Sequence, residues 1–342
     1  MLQQHVCDVS VCGYSAYTKT PVVYNGRKVT PLRKYPWIVS LSIKEGKGRC
    51  SGALISSNFV LTAAHCVARR KVKNKSQCRT KGRMPEGCFF EPSEVVVKLT
   101  PEELGEEVEK YQVAQVIPHP KFRHAPKFVG GINDLALLRL ERKVVCNSEY
   151  PAPLCLHRPD MEPVSGNFYV AGWGLYNSDG KGPRNLREGI VTRTLDNSKC
   201  KRKKMSITIC ALGDERNQTV CMDSSLRLPP CYIISITNGQ EKNGHHKEQF
   251  SLSTSLLSHA LYISPHLLFF PDRGLRLSWR FRVRGLPEIR PSWYGVGVVS
   301  SQAYGECDPS LPSYYSKVAS HFDWIKKLVR HLPEPQKISV TI

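Results

Sequence analysis

Short apolar runs of four to six residues recur along the chain and are separated by loops rich in glycine, proline, asparagine and lysine. Valine, leucine and aromatic residues dominate these runs, and such residues favour half-buried strands. The pattern predicts an all-β sandwich or barrel, with strands that include residues 36–41, 59–62, 95–99, 135–138, 168–171 and 296–299.

One segment near the end of the chain has the spacing of a helix. Phe322, Ile325 and Val329 recur at intervals of three and four residues around Asp323 and Trp324. Residues spaced in this way share one face of an α-helix. The sequence therefore predicts a C-terminal α-helix on an otherwise all-β domain.

Two segments do not follow the strand pattern. Residues 1–22 have the character of a short leader or propeptide ahead of the folded body. Residues 226–284 show little periodicity, apart from an alternation of apolar and polar residues over 275–283 that is typical of a half-buried strand. We therefore expect a folded domain over residues 23–335 that is interrupted by an atypical insertion at about 226–284.

The cysteine content indicates the compartment. Thirteen cysteines in 342 residues exceed what a reducing cytosol favours, and this number predicts a secreted protein or one held in a secretory vesicle. No signal peptide is visible in the chain as given. The apolar runs are too short to span a bilayer, and no motif implies a metal or another cofactor.

The chain is strongly basic, with a formal net charge of +20 and basic runs at residues 69–73 and 201–204. A field of this sign attracts polyanions. Nothing resembles a recognition helix or an RNA-binding sheet, so nucleic acid is not the expected partner. In an oxidising compartment the expected anionic partner is a sulfated glycan, and for each run taken alone the alternative is a solvated surface.

A histidine follows an apolar strand in the segment Leu61-Thr62-Ala63-Ala64-His65-Cys66. The neighbouring cysteine pins the turn that carries His65. A general base needs an imidazole whose pKa lies near neutrality and whose position is rigid. His65 is therefore a candidate base.

A carboxylate precedes the apolar strand in Asn133-Asp134-Leu135-Ala136-Leu137-Leu138. A buried aspartate needs partners, and the N–H of a histidine is a suitable one. The alternative is an aspartate that only forms the turn at the start of the strand.

Together these segments resemble the chymotrypsin/trypsin family of serine peptidases. The resemblance covers about residues 23–225 and 285–330. It implies a fold of two six-stranded antiparallel β-barrels with a C-terminal α-helix and a site in the cleft between the barrels. Further family motifs stand in the same order, at Tyr35-Pro36-Trp37, His119-Pro120, Ala171-Gly172-Trp173-Gly174, Ile209-Cys210-Ala211 and Asp323-Trp324-Ile325.

The resemblance also implies an activity and the residues that carry it. The expected activity is that of a secreted zymogen of a serine endopeptidase, which hydrolyses protein or peptide substrates without a cofactor. By match, His65 is the general base, Asp134 orients it, and Ser300 supplies a hydroxyl that supports Asp134. The alternative is a catalytically inactive homologue that acts as a binding protein for a sulfated glycan or a protein partner.

The nucleophile motif departs from the family pattern Cys-x-Gly-Asp-Ser-Gly-Gly-Pro. Counting from Cys221 makes Ser225 the nucleophile, whereas matching the Asp-Ser pair makes it Ser224. The oxyanion hole then consists of the backbone N–H groups of Asp223 and Ser225, and the loss of one such donor costs about 10²–10³ in rate. Aspartate adopts the backbone angles of the family glycine reluctantly, and two further glycines are replaced by leucine and arginine at 226–227.

The departure from the motif and the insertion begin at the same place, so we interpret them as one event. One hypothesis is that residues 226–284 are foreign to the domain, for example an unremoved intervening sequence in a conceptual translation. The alternative is a genuine pseudo-peptidase.

The resemblance implies a set of substrate-binding residues. Thr219 lies at the floor of the primary specificity pocket, Gln302 and Ser313 form its walls, and Ser300 is included in the set. Because trypsin-like members carry aspartate at the floor, Thr219 argues against a strong preference for arginine or lysine. We expect a shallow pocket for small or medium apolar residues, while Asp308 keeps a basic preference open.

The resemblance also implies disulfide pairs. The expected pairs are Cys50–Cys66, Cys200–Cys210, Cys221–Cys307 and a tether from Cys155 to the leader cysteine Cys12, and Cys78 can close on Cys88 across a basic loop. Cys7 and Cys146 remain as a further possible pair. The odd cysteine, Cys231, lies inside the insertion.

Overall fold

The structure is a computed structural model that describes residues 11–15, 27–29, 31–43, 49–69, 78, 84–100, 108–124, 131–145, 150–161, 167–173, 185–194, 198–200, 206–213, 292–302 and 310–335. All of these residues belong to one unit of the chain. The strands among them are β1 (Val11–Cys12), β2 (Arg27–Lys28), β3 (Ile38–Ile43), β4 (Arg49–Ser56), β5 (Phe59–Thr62), β6 (Val95–Leu99), β7 (Lys110–Pro118), β8 (Arg123–His124), β9 (Gly131–Ile132), β10 (Ala136–Leu140), β11 (Cys155–Leu156), β12 (Asn167–Gly172), β13 (Arg187–Arg193), β14 (Thr208–Gly213), β15 (Tyr294–Gly295), β16 (Gly297–Gln302), β17 (Ser313–Lys317) and β18 (Glu334–Pro335).

The helices among the described residues are few and short. The α-helices are α1 (Ala64–Val67), which is a single turn, and α2 (Phe322–Leu328). The predicted C-terminal helix is therefore present, and Val329 lies just beyond it as its C-cap. Single 3₁₀ turns occupy Leu32–Lys34, Glu86–Cys88, Pro92–Glu94 and Ala319–His321.

Six antiparallel strands close into a barrel in the order β10-β5-β4-β3-β6-β7. Successive side chains of a strand point to opposite faces, and β6 follows this rule. It buries Val95, Val97 and Leu99, while Val96 and Lys98 are half-buried. The apolar side chains of these strands form the core of the first barrel.

The pairing of β5 with β10 brings two chain segments to the same end of the barrel. Thr62, the last residue of β5, lies opposite Ala136, the first residue of β10. The residues that follow β5 and the residues that precede β10 are therefore neighbours, although about seventy positions separate them in the sequence. His65 and Asp134 lie on these two segments.

Six further strands form a second, curled sheet in which β12-β13-β14-β17-β16 are neighbours and β2 pairs with β13. Its own core consists of Phe168, Val191, Ile209, Ala211, Val296, Val299 and Tyr315. The prediction of an all-β fold is confirmed. In the described residues, the first set of six strands is a closed barrel and the second is a curled sheet.

Residues 11–15 contact later parts of the chain through Gly13. The N–H of Gly13 donates to the carbonyl of Pro153, and the N–H of Trp293 donates to the carbonyl of Gly13. Gly13 has a positive φ of 71°, and a Cβ there would lie 2.5 Å from the Trp293 carbonyl oxygen. Glycine fits this close approach because it has no Cβ. Next to this contact, β1 pairs in parallel with β18.

Disulfide bonds join several of these elements. Every cysteine in the described part of the chain is paired. The bonds are Cys12–Cys155, Cys50–Cys66, Cys78–Cys88 and Cys200–Cys210. Three of them coincide with pairs that the resemblance implies, and Cys78–Cys88 coincides with the pair that can close across the basic loop. The Cys12–Cys155 bond ties β1 to β11.

A buried ion pair connects the 3₁₀ turn before β3 to strand β13. Lys34 and Glu188 are each only 2 % exposed, and the Lys34 ammonium contacts the Glu188 carboxylate. The hydroxyl of Tyr35 donates to the same carboxylate. A buried charge needs such partners, so this contact explains how a glutamate can lie inside the fold.

Candidate active site

His65 is held at the end of the first barrel by its immediate neighbours. Strand β5 ends at Thr62, and the single turn of α1 begins two residues later. Ala63 and Ala64 are fully buried at this tight turn. The disulfide from Cys66 to Cys50 fastens the turn to β4. His65 itself is 2 % exposed.

Asp134 stands in a turn directly before β10. The preceding residue, Asn133, has a φ of 53°, in the left-handed region that asparagine tolerates better than most residues. The N–H of Leu135 donates back to the carbonyl of Asn133. Asp134 is fully buried, so its charge depends entirely on groups of the protein.

Three hydrogen bonds satisfy the Asp134 carboxylate. His65 Nδ1 lies 2.7 Å from Oδ2, and the backbone N–H of His65 donates to Oδ1 at 2.8 Å. The Ser300 hydroxyl donates to Oδ2 at 2.9 Å. Burial opposes ionisation of this group. The His65 imidazole and the hydrogen bonds from His65 and Ser300 outweigh that effect, so the pKa of Asp134 is lowered from its ordinary value.

The hydrogen bond to the carboxylate fixes the proton on the His65 ring. Since Asp134 accepts from Nδ1, the proton of the neutral ring lies on Nδ1 and the lone pair lies on Nε2. Nε2 is buried and makes no hydrogen bond to any residue in the described part of the chain. The ring is therefore arranged to accept a proton at Nε2 while Asp134 stabilises the resulting imidazolium.

A second layer of contacts positions the turn that carries Asp134. Asn133 Nδ2 donates to the Lys121 carbonyl at 2.9 Å. His321, at the start of α2, lies 3.1 Å from Asn133 Oδ1 through Nε2 and 2.7 Å from the Lys317 carbonyl through Nδ1. Its ring meets that of His119 edge to face, with 5.0 Å between the centroids.

The two histidines of this second layer resist protonation. Burial, followed by the charges of His321 and Lys121, lowers the pKa of His119 to about 4. Burial also lowers the pKa of His321, although the Lys317 carbonyl acts in the opposite sense. The His119 ring is therefore neutral at physiological pH.

The sequence motifs did not point to His321. Its contact partner Asn133 lies 188 positions away, so no local pattern could reveal the pair. For Asn133 a local signal existed, because asparagine before a buried aspartate is one of the few residues that accept a left-handed backbone.

Two of the expected substrate-binding residues lie opposite each other in the second sheet. Gln302 ends β16, and it is the antiparallel partner of Ser313, which begins β17. Ser313 is fully buried. Its hydroxyl donates to the Ala211 carbonyl at 3.0 Å and lies 2.8 Å from the hydroxyl of Tyr315.

The other expected site residues lie outside the described residues. They are the nucleophile candidates Ser224 and Ser225, the oxyanion residue Asp223, the pocket residues Thr219 and Asp308, and the cysteines Cys7, Cys146, Cys221, Cys231 and Cys307.

The fold and the histidine–carboxylate pair together define a class of protein. A buried aspartate that holds a histidine with its second nitrogen ready for a proton is the acid–base half of a serine-peptidase site. The sequence model of the family described as Trypsin matches residues 23–225 of the chain, which is more than half of its length. The chain therefore belongs to the trypsin family, which is a family of serine endopeptidases.

Several curated proteins are similar to this chain. The chain is 34 % identical over 161 residues to phenoloxidase-activating factor 3 of Holotrichia diomphalia, an overlap of 44 % of this chain and 42 % of that protein. It is 28 % identical over 237 residues to the Spaetzle-processing enzyme of Drosophila melanogaster, covering 65 % of this chain and 54 % of that protein. It is 24 % identical over 318 residues to CLIP domain-containing serine protease B15 of Anopheles gambiae, covering 90 % and 69 %.

The chain thus spans about half the length of the first two of these relatives. Among the described residues, no helix combines the length and the apolar character needed to cross a membrane.

Proposed function

We propose that this chain is a serine-type endopeptidase that uses His65, Asp134 and Ser225. In the proposed reaction, Nε2 of His65 takes the proton from the Ser225 hydroxyl as its oxygen attacks the scissile carbonyl carbon. The backbone N–H groups of Asp223 and Ser225 hold the resulting oxyanion. The imidazolium then returns the proton to the leaving amine, and water releases the acyl group by the same steps.

One observation carries this proposal. The Nδ1 atom of His65 is bound to a fully buried carboxylate at 2.7 Å, and Nε2 has no hydrogen-bond partner in the described part of the chain. A purely structural histidine satisfies both nitrogens when it is buried. An unsatisfied Nε2 beside a lowered-pKa aspartate is what a general base requires.

A second candidate is an inactive homologue that serves as a binding protein. The segment Cys221-Met222-Asp223-Ser224-Ser225-Leu226-Arg227 favours it. This segment has bulky side chains where the family has three glycines, and one lost oxyanion donor costs about 10²–10³ in rate. The partner is then a protein or a sulfated glycan.

The extent of the domain is part of the proposal. We propose a leader at residues 1–22 and a peptidase domain at residues 23–335 that is interrupted at about 226–284. The family match ends at residue 225, and the described strands resume at Tyr294, which supports this division. Sequencing the transcript tests whether the interruption is native, because a continuous message across residues 224–286 contradicts the idea of an unremoved intervening sequence.

The substrates and the location follow from the same proposal. The protein is secreted or stored in a secretory vesicle, and it cleaves proteins or peptides after small or medium apolar residues because Thr219 lies at the floor of the pocket. Cleavage of a peptide library by the activated protein, with residues 226–284 replaced by Gly-Gly-Pro, tests the specificity. Dominant cleavage after arginine would contradict the assignment of Thr219.

Labelling with a fluorophosphonate separates the two candidate functions. We expect the activated full chain to react at Ser225, so that Ser225→Ala and His65→Gln abolish labelling while Ser224→Ala does not. The version with Gly-Gly-Pro in place of 226–284 is the positive control, and we expect it to react faster than the full chain because the turn after Ser225 regains the two glycines of the family motif.

Each other outcome of the labelling has a defined meaning. Loss of labelling in Ser224→Ala alone moves the nucleophile to Ser224. Labelling of the Gly-Gly-Pro version but not of the full chain identifies the chain as an inactive homologue. No labelling of either version refutes the proposed peptidase.

A further inference from the structure

His321 faces a hydrogen-bond acceptor at each of its two ring nitrogens. Nδ1 lies 2.7 Å from the carbonyl oxygen of Lys317, and Nε2 lies 3.1 Å from Oδ1 of Asn133. A neutral imidazole has a single N–H, so its other nitrogen can only accept. The imidazolium has two N–H groups. Both acceptors are therefore satisfied only when the His321 ring carries two protons.

The orientation of the Asn133 amide is set by a third residue. Its Nδ2 donates to the carbonyl of Lys121 at 2.9 Å, so Oδ1 is the atom that faces His321. The opposite orientation would turn Oδ1 toward the Lys121 carbonyl and would only move the conflict between two acceptors to that contact. A neutral ring with its proton on Nε2 would instead place the Nδ1 lone pair against the Lys317 carbonyl. No form of the neutral ring satisfies all of these groups.

Burial makes this mismatch important. His321 is only 4 % exposed, so little water can replace a missing partner. A buried acceptor without a donor is costly, whereas a hydrogen bond donated by an ionised ring is about twice as strong as a neutral one. Burial also opposes the charge and lowers the pKa of His321, while the Lys317 carbonyl acts in the opposite sense. The ring therefore takes up its second proton below its ordinary pKa of 6.5.

Several titratable or charged groups lie on the segments around His321. They are His119 and Lys121 after β7, Asp134 beside Asn133, and Lys317 and Asp323 on the segment of His321 itself. The N–H of Lys121 donates to His119 Nδ1 at 3.2 Å, and the pKa of His119 is lowered to about 4, so this ring is uncharged at higher pH. The pKa of Asp134 is also lowered. The titration of His321 is therefore separate from those of His119 and Asp134.

We infer that His321 is a pH-dependent positioning residue, which fastens the turn of Asp134 to helix α2 when both of its nitrogens are protonated. His321 is the N-cap residue of α2, and Asn133 directly precedes Asp134. The imidazolium donates to the Asn133 amide and to the Lys317 carbonyl, whereas the neutral ring donates to only one of them. This inference goes beyond the proposed function and is independent of it, because it concerns the turn of Asp134 and requires no nucleophile.

NMR spectra of the full chain with ¹⁵N-labelled histidine, recorded at a series of pH values, test the inference by following both ring nitrogens. The signals of His321 are those that are missing from His321→Gln. The test variant is Asn133→Gly, which removes Oδ1 and suits the φ of 53° at this position. The matched control is Asn58→Gly. Asn58 lies at the other end of β10, where its carbonyl accepts from the N–H of Leu140.

We expect both nitrogens of wild-type His321 to become protonated as the pH falls below 6.5. In Asn133→Gly the ring should bind its second proton about tenfold more weakly, because the imidazolium loses a charge-assisted hydrogen bond. Asn58→Gly should leave this proton affinity unchanged. An equal affinity in Asn133→Gly and the wild type would overturn the inference, and so would a His321 ring that stays neutral until acid unfolds the chain.

A measurement on the unmodified chain covers the case in which Asn133→Gly fails to fold. The side-chain amide signal of Asn133, assigned in the wild type, should shift with the same midpoint as the His321 nitrogens, because its oxygen gains a donor at that pH. An Asn133 amide signal that does not follow this midpoint would refute the inference.

A cycle of stabilities separates this role from a purely structural one. If Asn133 binds the protonated ring more tightly than the neutral ring, the ring lowers its proton affinity when the amide is removed, and Asn133→Gly must cost more stability as the pH falls. We expect the ratio of the unfolding constants of Asn133→Gly and the wild type to rise about tenfold. In the His321→Gln background this ratio should not change with pH. A ratio that is constant in both backgrounds would contradict the inference.

Discussion

The replacement of Ser300 by alanine tests how the buried carboxylate of Asp134 is supported. Ser300 is 1 % exposed, and its hydroxyl lies 2.9 Å from Asp134 Oδ2 and 3.1 Å from both the carbonyl and the N–H of Gly131. A hydroxyl has one proton to donate. The charged carboxylate is the nearer and stronger acceptor, so the proton belongs to Asp134 and the hydroxyl oxygen accepts from Gly131.

The expected loss of stability follows from these two contacts. The hydrogen bond from Ser300 to the charged Asp134 carboxylate is of a kind that contributes about 1.5–3 kcal/mol. The buried N–H of Gly131, which the substitution leaves without its acceptor, costs about 1–3 kcal/mol. Because one substitution removes both together, we expect Ser300→Ala to lower the free energy of unfolding by about 2–4 kcal/mol at pH 7. Ser313→Ala is the matched control. Its hydroxyl is as deeply buried but bonds only neutral oxygens, so its loss should be about 1 kcal/mol.

The pH dependence of the Ser300→Ala effect has a defined sign. Asp134 has a lowered pKa in the folded state, so its ionised form adds stability at neutral pH that is lost as the pH falls through the folded-state pKa. Without the Ser300 hydroxyl this pKa rises, and the variant takes up its proton at a higher pH than the wild type. The difference in stability should therefore be largest at pH 7 and shrink as the pH falls.

Urea denaturation of the wild type and both serine variants at a series of pH values measures these differences. The reasoning fails if Ser300→Ala and Ser313→Ala cost the same at pH 7, or if the Ser300→Ala difference does not change with pH. Either result would mean that the carboxylate does not depend on the Ser300 hydroxyl.

Three further substitutions test other parts of the structure by urea denaturation. His65→Ala leaves the Asp134 carboxylate buried without the imidazole that hydrogen-bonds to it, so we expect a loss of about 3–5 kcal/mol at pH 7 that shrinks at lower pH as the carboxylate is protonated. Asn133→Ala should be about 1 kcal/mol less stable than Asn133→Gly, because φ is 53° there. Lys34→Met removes the ammonium from the buried Glu188 and should cost about 3–5 kcal/mol, most of which Lys34→Met/Glu188→Leu should recover.

Each of these expectations has its own control. Adding Asp134→Asn to His65→Ala should restore part of the stability, because it removes the isolated charge; a loss that is the same at every pH would contradict the argument. Equal stabilities of the two Asn133 variants would show that the left-handed backbone is not strained. Additive losses in the Lys34 and Glu188 double variant would show that the two side chains are not coupled.

The strands that could be predicted from the sequence are those with strong local patterns. The run at residues 95–99 coincides with β6, because alternate burial leaves a visible period of two. The run at 36–41 only partly matches β3, which begins at Ile38 after the turn that contains Pro36. Proline lacks the N–H that a strand interior requires, which explains the later start.

Strand β13 could not be predicted from its residues. It contains Arg187 and Glu188, and a pair of opposite charges usually marks a solvated surface. The buried Glu188 is paired with Lys34 and Tyr35, which come from a segment more than 150 positions earlier. Contacts of this kind depend on the complete fold and leave no local pattern.

In the candidate site, too, residues within a local motif could be predicted, whereas contacts between residues far apart in the sequence could not. The motifs around His65 and Asp134 identified both residues, because each motif encodes a turn at the end of a strand. The contact of Asn133 with His321 was not predicted, since the two residues come from opposite ends of the domain. Sequence motifs therefore locate the candidate histidine and aspartate, while the groups that hold them in place emerge only from the fold.

The groups that hold the His65–Asp134 pair lie in a different part of the sequence from the segment that is proposed to supply the nucleophile. His65 and Ser300 together satisfy the Asp134 carboxylate, and removal of one partner from such a buried group is expected to cost several kcal/mol. None of these three hydrogen bonds comes from residues 223–227. A member of this family that loses hydrolysis can therefore change first in the nucleophile segment and keep its histidine–aspartate pair for stability. For this reason the fluorophosphonate reaction of Ser225, and not the geometry of the pair, decides between the two candidate functions.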